Sequence, residues 1–268
     1  MKKISVIGAG NMGKAIIGGL VKSETVNPDY IIATNRHQSV LDNLKNEYGV
    51  QTTLDSKEGA KKGDIIIFAV KPKVIKEVIK DVKEFIDDKK IIVSIAAGIS
   101  IEDIESVVGN DKKIIKVMPN TPAMVGEAMS AVSINKNISE DEKQIVMDIF
   151  KSLGKAELVD ESLMDAVTGV SGSSPAYVYM MIESMADAAV LSGMPRKQAY
   201  VFASQAVLGA AKMVLETGLH PGELKDMVCS PSGTTIEAVE ALEKYGFRNA
   251  VIKGQMACVN KSIEMSKK

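Results

Sequence analysis

Six residues near the start of the chain, Gly8-Ala9-Gly10-Asn11-Met12-Gly13, have the types and spacing to hold a diphosphate. In such a turn Gly8 permits the tight bend, Gly10 lacks the Cβ that would block a pyrophosphate, and Gly13 lets the next helix pack closely on its strand. The first helical amides then face the phosphates, with the positive end of the helix dipole behind them. Glycine spacing alone also fits a tight strand-to-helix turn with no ligand. The flanks favour the ligand: the apolar run Ile4-Ser5-Val6-Ile7 precedes the turn directly, and the helical pattern Ala15-Ile16-Ile17-Gly18-Gly19-Leu20 follows, which is the context a dinucleotide site requires.

Open sheets of this kind bind ligands beyond the carboxyl ends of their strands, so the residues leaving the later apolar runs matter next. One run ends Phe68-Ala69-Val70-Lys71-Pro72, another Ser94-Ile95-Ala96-Ala97-Gly98, and another Met118-Pro119-Asn120-Thr121-Pro122. Ala96, Ala97 and Gly98 leave room for a flat ring to approach the backbone. Pro72 suits the first position of a helix, leaving Lys71 in the turn as either a solvated side chain or a cofactor contact. Asn120 and Thr121 either line a pocket or simply follow a strand ended by proline. An acidic residue about 20 positions past the glycines would favour the 2′-hydroxyl of NAD. The window here reads Ala33-Thr34-Asn35-Arg36. Arg36 is a planar cation suited to a 2′-phosphate, so the sequence predicts NADPH as the preferred cofactor, with NADH as the alternative.

Farther along, Cys229-Ser230-Pro231-Ser232-Gly233-Thr234-Thr235 precedes a helix that begins near Ile236. Hydroxyls and glycine at a helix start provide donors for a small carboxylate, or ordinary capping by Ser232 or Thr234; both readings stand. His37 and His220, the two histidines, have no evident catalytic partner, and no G-x-S-x-G, HExxH or Cys/His pairing occurs. Hydrolase and metal chemistry therefore lack support. Hydride transfer needs none of these groups, because the cofactor carries the reactive atom.

The elements that must position these residues follow from patterning. Tyr30–Ala33, Ile65–Val70, Ile91–Ala96 and Ile114–Met118 are Ile/Val-rich runs expected of parallel strands buried on both faces. Helical stretches lie between them at Leu41–Glu47 and Val74–Ile86. Ala128–Ile134 reads as another strand, Ser139 as the cap of a helix ended by Gly154, and Lys155–Val159 as a last edge strand. From about Asp160 the Ile/Val runs give way to Ala/Met/Leu segments such as Tyr177–Leu191 and Gln198–Leu215, and nine of the 15 methionines lie from Met164 onward. The expectation is a Rossmann-like doubly wound sheet over residues 1–161, followed by an all-α domain over 162–268. Helices there that are apolar on most faces need burial that so small a domain cannot supply, which predicts a homodimer.

With 33 basic and 34 acidic residues the net charge is -1, so the chain lacks an electrostatic footprint for nucleic acid or anionic membrane. No run approaches the ~20 apolar residues of a membrane span. The apolar start after Met1-Lys2-Lys3 breaks at Gly8, unlike a signal peptide. Two distant cysteines, Cys229 and Cys258, fit a reduced cytoplasmic setting without disulfides or metal.

Together with Asp165-Ala166-Val167-Thr168-Gly169-Val170-Ser171-Gly172-Ser173-Ser174-Pro175-Ala176-Tyr177 and Pro221-Gly222-Glu223-Leu224-Lys225-Asp226 leading into Ser230–Thr235, these motifs make the chain resemble the pyrroline-5-carboxylate reductase family nearly end to end. The resemblance implies reduction of the cyclic imine 1-pyrroline-5-carboxylate to L-proline by NAD(P)H. It maps adenosine contacts to Asn35, Arg36 and Ser56, and nicotinamide-side contacts to Val70, Lys71 and Ala97. The substrate carboxylate maps to Ser230, Gly233 and Thr234, and the ring nitrogen to the Thr235 hydroxyl. The family dimerises through interleaved helical halves, and larger rings of dimers occur in it. Ser56 stands where Asn is frequent in the family, and Ser232 where Gly is frequent. A hydroxyacid dehydrogenase and a non-catalytic NAD(P) sensor are the rival readings. The first would rest on Lys212 or Lys225, neither of which sits beside a matching motif.

Overall fold

In the computed structural model, residues 2–266 are described. Eight strands form one sheet: β1 (Ile4–Ile7), β2 (Ile31–Thr34), β3 (Gln51–Thr53), β4 (Ile65–Phe68), β5 (Ile91–Ser94), β6 (Lys113–Met118), β7 (Ala128–Ile134) and β8 (Gly154–Leu158). Their spatial order is β3-β2-β1-β4-β5-β6-β7-β8. The first six run parallel in the 3-2-1-4-5-6 order of a dinucleotide-binding sheet.

Between these strands lie α1 (Asn11–Lys22), α2 (Gln38–Tyr48), α3 (Ser56–Lys62), α4 (Pro72–Val82), α5 (Ile101–Val108) and α6 (Glu140–Lys151). Ile16, Ile17, Leu20, Leu41, Leu44 and Phe150 fill one face of the sheet. Ala60, Ile75, Ile79, Val82 and Ile104 fill the other. Both faces are thus covered, which is why the parallel strands read as unbroken apolar runs.

β7 departs from the wholly parallel sheet and runs antiparallel to β6. The link from Met118 to Ala128 contains only a short 3₁₀ turn, Thr121–Val125, too little for the crossover a parallel return requires. α6 then provides that crossover, and β8 lies parallel to β7. Ser139 caps α6 in a reciprocal box with Glu142, as expected. Gly154 does not end the helix, whose C-cap is Ser152. It opens β8 at φ +145, where a Cβ would lie 2.3 Å from the Ala128 carbonyl oxygen.

The rest of the chain is helical: α7 (Met164–Val167), a π turn over Thr168–Gly172, α8 (Ser174–Leu191), α9 (Arg196–Thr217), α10 (Pro221–Val228), α11 (Thr234–Lys244) and α12 (Phe247–Ser266). In space the chain forms two compact units, and the break falls at Ser173 and Ser174 rather than at the composition change near Asp160. The first unit also takes the end of α12, from Cys258 onward. There the Ser262 hydroxyl donates to Asp165 at 2.6 Å, Cys258 Sγ donates to the Ser173 hydroxyl at 3.1 Å, and Met265 lies against Gly98.

The second unit, Ser174–Ala257, buries only alanines among its described hydrophobic residues: Ala186, Ala199 and Ala203. Leu191, Met180, Leu215, Phe202, Val201 and Ile252 are each at least 59% exposed. Each such side chain withholds about 1.5–3 kcal/mol of burial, so these helices have no sufficient core within one chain. No helix among the described residues is long and apolar enough to cross a membrane, and no group of three or more metal-ligating side chains occurs among them.

Candidate active site

The glycine turn is fastened to the end of β2. The amides of Gly8 and Ala9 both donate to the Thr34 carbonyl, at 3.0 and 2.9 Å. Asn35 adds a side-chain link, donating from Nδ2 to the Ala9 carbonyl at 3.1 Å while its Oδ1 accepts the His37 amide at 3.0 Å. One asparagine thereby ties the phosphate turn to the loop that carries Arg36. Gly8 has φ +92, and a Cβ there would stand 2.4 Å from Val70 Cγ1. At Gly13 a Cβ would lie 2.9 Å from the Gly8 carbonyl oxygen and 3.3 Å from Val6 and Ala69. Gly10 differs from both, since nothing lies within 4 Å of its notional Cβ. Helix α1 begins after Gly10 with no side-chain cap and no acid in its first turn, so its positive end is left for an anion.

These residues border a cleft of about 440 Å³. Of the residues expected at a cofactor, Gly8, Gly10, Asn35, Arg36, Ser56, Ala69, Val70 and Lys71 line it together. Ala9, Asn11, Met12, Gly13, Pro72 and Ala97 do not line it. Ala9 is buried beneath the turn and Gly13 serves the helix–strand contact. Pro72 is the first residue of α4, with Lys71 as its extended N-cap, and Ala97 follows β5 beside the Gly98–Met265 contact. The cleft also contains residues that the sequence did not assign to a cofactor: Leu54, Val74, Val78 and His37. Leu54 and Val74 are 56% and 40% exposed. Single exposed apolar residues are ordinary in a sequence, and only their meeting on one wall makes a surface for a flat ring.

The hydroxyl-rich turn is a separate structure in the second unit. The Gly233 amide donates to the Ser230 carbonyl at 3.1 Å, closing a four-residue turn over Pro231 and Ser232. Ser232 has φ +56, the left-handed region a type II turn requires at its third position and glycine favours. A Cβ on Gly233 would meet Ser230 Oγ at 2.3 Å and the Ser230 carbonyl oxygen at 3.1 Å, so a side chain there would force Ser230 to shift. α11 starts at Thr234 with no side-chain cap. The capping alternative for Ser232 and Thr234 thus fails, and the first amides of α11 and the Ser230, Thr234 and Thr235 hydroxyls remain for a ligand.

Asn120 is 7% exposed and already engaged: its Oδ1 accepts the Met129 amide at 2.9 Å, and its Nδ2 donates to the Ser171 carbonyl at 3.0 Å. Its side chain locks the strand exit to the π turn. His220 caps α10, its Nδ1 accepting the Gly222 amide at 3.1 Å.

Comparison with known proteins agrees with both halves. A family model described as pyrroline-5-carboxylate reductase dimerisation matches residues 161–265, the helices whose apolar side chains lie open. A model described as NADP oxidoreductase, coenzyme F420-dependent, matches residues 3–98, which include the cleft. The chain is 50% identical to the pyrroline-5-carboxylate reductase of Escherichia coli (strain K12) over 266 residues, 99% of each chain. It is 43% identical to that of Methanosarcina acetivorans, over 100% of this chain and 99% of the relative. Among solved structures, a pyrroline-5-carboxylate reductase from Coxiella burnetii superposes with a TM-score of 0.92 at 35% identity, covering 100% of this chain and 99% of that one. The Plasmodium falciparum pyrroline carboxylate reductase with NADP bound gives 0.90 at 33% identity, covering 99% and 98%. Likeness of this extent, over both the nucleotide sheet and the coreless helices, has one meaning: the chain belongs to the pyrroline-5-carboxylate reductase family.

Proposed function

We propose that the cleft beside Gly10 holds NADPH and that the turn from Ser230 to Thr235 holds a cyclic imine carboxylate, the two acting in reduction of 1-pyrroline-5-carboxylate to L-proline. The observation that carries the cofactor reading is the asymmetry among the three glycines. Gly8 and Gly13 are demanded by the protein's own atoms, whereas Gly10 keeps clear a space that protein atoms do not claim. That cradle, bounded by an uncapped helix start and an apolar wall, fits a dinucleotide.

When bound, the reduced nicotinamide supplies the hydride. The chain's part is to orient and to balance charge. Amides of α1 hold the pyrophosphate, Arg36 and Ser56 take the adenosine end, and Val70, Lys71 and Ala97 border the nicotinamide end. At the substrate, the first amides of α11 and the hydroxyls of Ser230 and Thr234 hold the carboxylate. Thr235 bonds the ring nitrogen. Its hydroxyl both donates and accepts, so it steadies the proton that the nitrogen must carry while the neighbouring carbon accepts hydride. The C=N π bond breaks, a C–H bond forms, and the electron pair stays on nitrogen as the amine.

On this reading residues 1–161 serve the cofactor and 162–268 serve pairing and substrate. The working protein is a homodimer in the cytoplasm, the open apolar side chains of the second unit being what the pairing covers. Thr235 gives the test. Thr235→Ala removes the proposed hydrogen bond to the ring nitrogen and should lower kcat/KM for the imine about ten- to hundredfold, with Thr235→Ser recovering most of it. Wild-type kcat/KM in Thr235→Ala would refute the assignment.

A further inference from the structure

Within the loop that leaves β2, Arg36 does not project freely. Its Nε donates to Nε2 of the adjacent His37 at 3.1 Å. Both side chains are exposed, and both line the cleft next to Asn35 and Ser56. Arg36 forms no ion pair with a carboxylate among the described residues, and α2, which starts directly after His37, has no acid in its first turn. The charge is thus unpaired among the described residues, while its direction is set by the adjacent imidazole.

That geometry divides the guanidinium. With Nε engaged by the imidazole, the remaining N–H donors of the planar fork stay available to an anion. An arginine held this way loses less freedom when it binds, because part of its rotamer entropy is already spent. The His37 backbone is held in place: its amide donates to Asn35 Oδ1, and Asn35 grips the glycine turn through Ala9. A continuous set of hydrogen bonds therefore joins the diphosphate turn to the guanidinium by way of the histidine.

We propose that His37 is a positioning residue for cofactor choice: it aims Arg36 at the 2′-phosphate and so sets the preference for NADPH over NADH. This rests on the reading of Arg36 as the 2′-phosphate contact. The His37 Nε2 acts as a hydrogen-bond acceptor, so the residue works by direction rather than by charge. Glutamine can reproduce that acceptor through its Oε1, whereas alanine cannot.

The test is calorimetric titration of the full-length protein with two fragments, adenosine 2′,5′-bisphosphate and 5′-AMP, which differ only in the 2′-phosphate. In His37→Ala the Kd for the bisphosphate should rise about three- to tenfold, the range of one hydrogen bond of ordinary net strength. The Kd for 5′-AMP should stay unchanged, and His37→Gln should restore most of the discrimination. KM for NADPH should follow the bisphosphate, and KM for NADH should stay still. Arg36→Ala is the separate arm: if it leaves discrimination intact, the reading of Arg36 itself fails. If Arg36→Ala abolishes discrimination while His37→Ala preserves it, only the role of His37 is overturned. Equal weakening of both fragments in His37→Ala would mark a purely structural residue and overturn it as well.

Discussion

Replacing each glycine of the phosphate turn by alanine should produce two opposite kinds of defect. At Gly10 the backbone lies at φ -81, ψ -157, open to any residue, and the added methyl meets no protein atom within 4 Å. Gly10→Ala should therefore fold at least as well as wild type, gaining up to about 0.4–1 kcal/mol from a less flexible unfolded chain. The same methyl stands where the pyrophosphate approaches, so the Kd for NADPH should rise at least about tenfold, equivalent to roughly 1.4 kcal/mol. At Gly13 the methyl would press on the Gly8 carbonyl oxygen at 2.9 Å and on Val6 and Ala69 at 3.3 Å. Overpacking of that kind costs about 1–3 kcal/mol, or a fall of roughly 2–12 °C in Tm. Gly8→Ala combines a 2.4 Å clash with φ +92 and should be the least stable of the three. Thermal melts and NADPH fluorescence titrations on the same preparations separate the two effects. A Gly10→Ala protein that binds NADPH normally, or one that melts several degrees low, would refute the reasoning.

The remaining expectations are briefer. Arg36→Glu should lower the NADPH/NADH ratio of kcat/KM by at least tenfold, and an unchanged ratio would remove the 2′-phosphate assignment. Asn120→Leu leaves the Met129 amide and the Ser171 carbonyl without their partner. It should cost roughly 2–4 kcal/mol in denaturant unfolding, and an unchanged midpoint would show the bonds to be dispensable. Burial pushes the Asp103 and Glu142 carboxyls up, but hydrogen bonds from Lys76 and Ser100 to Asp103, and from Lys113 and Ser139 to Glu142, outweigh it and hold both low. The folded state therefore favours their charged forms. Their stabilisation is complete above the unfolded carboxylate pKa of about 4 and fades as pH falls through the lower folded values. Asp103→Asn should flatten the fall of Tm below about pH 4, and an identical slope would contradict this.

Much of the architecture was legible because parallel strands buried on both faces leave unmistakable Ile/Val runs, as in Ile65-Ile66-Ile67-Phe68. β3 left no such mark. Gln51-Thr52-Thr53 is a polar edge strand, partly or fully exposed, with nothing apolar to repeat. α3 carries Gly59 and four charged residues in seven, a poor helical pattern. Gly59 is there because a Cβ would strike Thr34 at 2.5 Å and Ser5 at 2.9 Å. The direction of β7 was beyond hydrophobicity, which is the same for either sense of a strand, though the short link before it held the answer. The docking of the end of α12 rests on pairs such as Ser262 with Asp165, which lie 97 residues apart, and local patterning carries no information about them. At the cleft, glycines and Arg36 announced themselves by type. His37 did not, because its importance lies in the acceptor it presents to its neighbour.

Steady-state turnover with 1-pyrroline-5-carboxylate tests the central claim most directly, following NADPH absorbance while L-proline is quantified in the same samples. One proline should form for each NADPH consumed, with Gly10→Ala impaired chiefly in KM for NADPH and Thr235→Ala impaired with saturating cofactor. NADPH binding without consumption, or consumption without proline, would contradict the account.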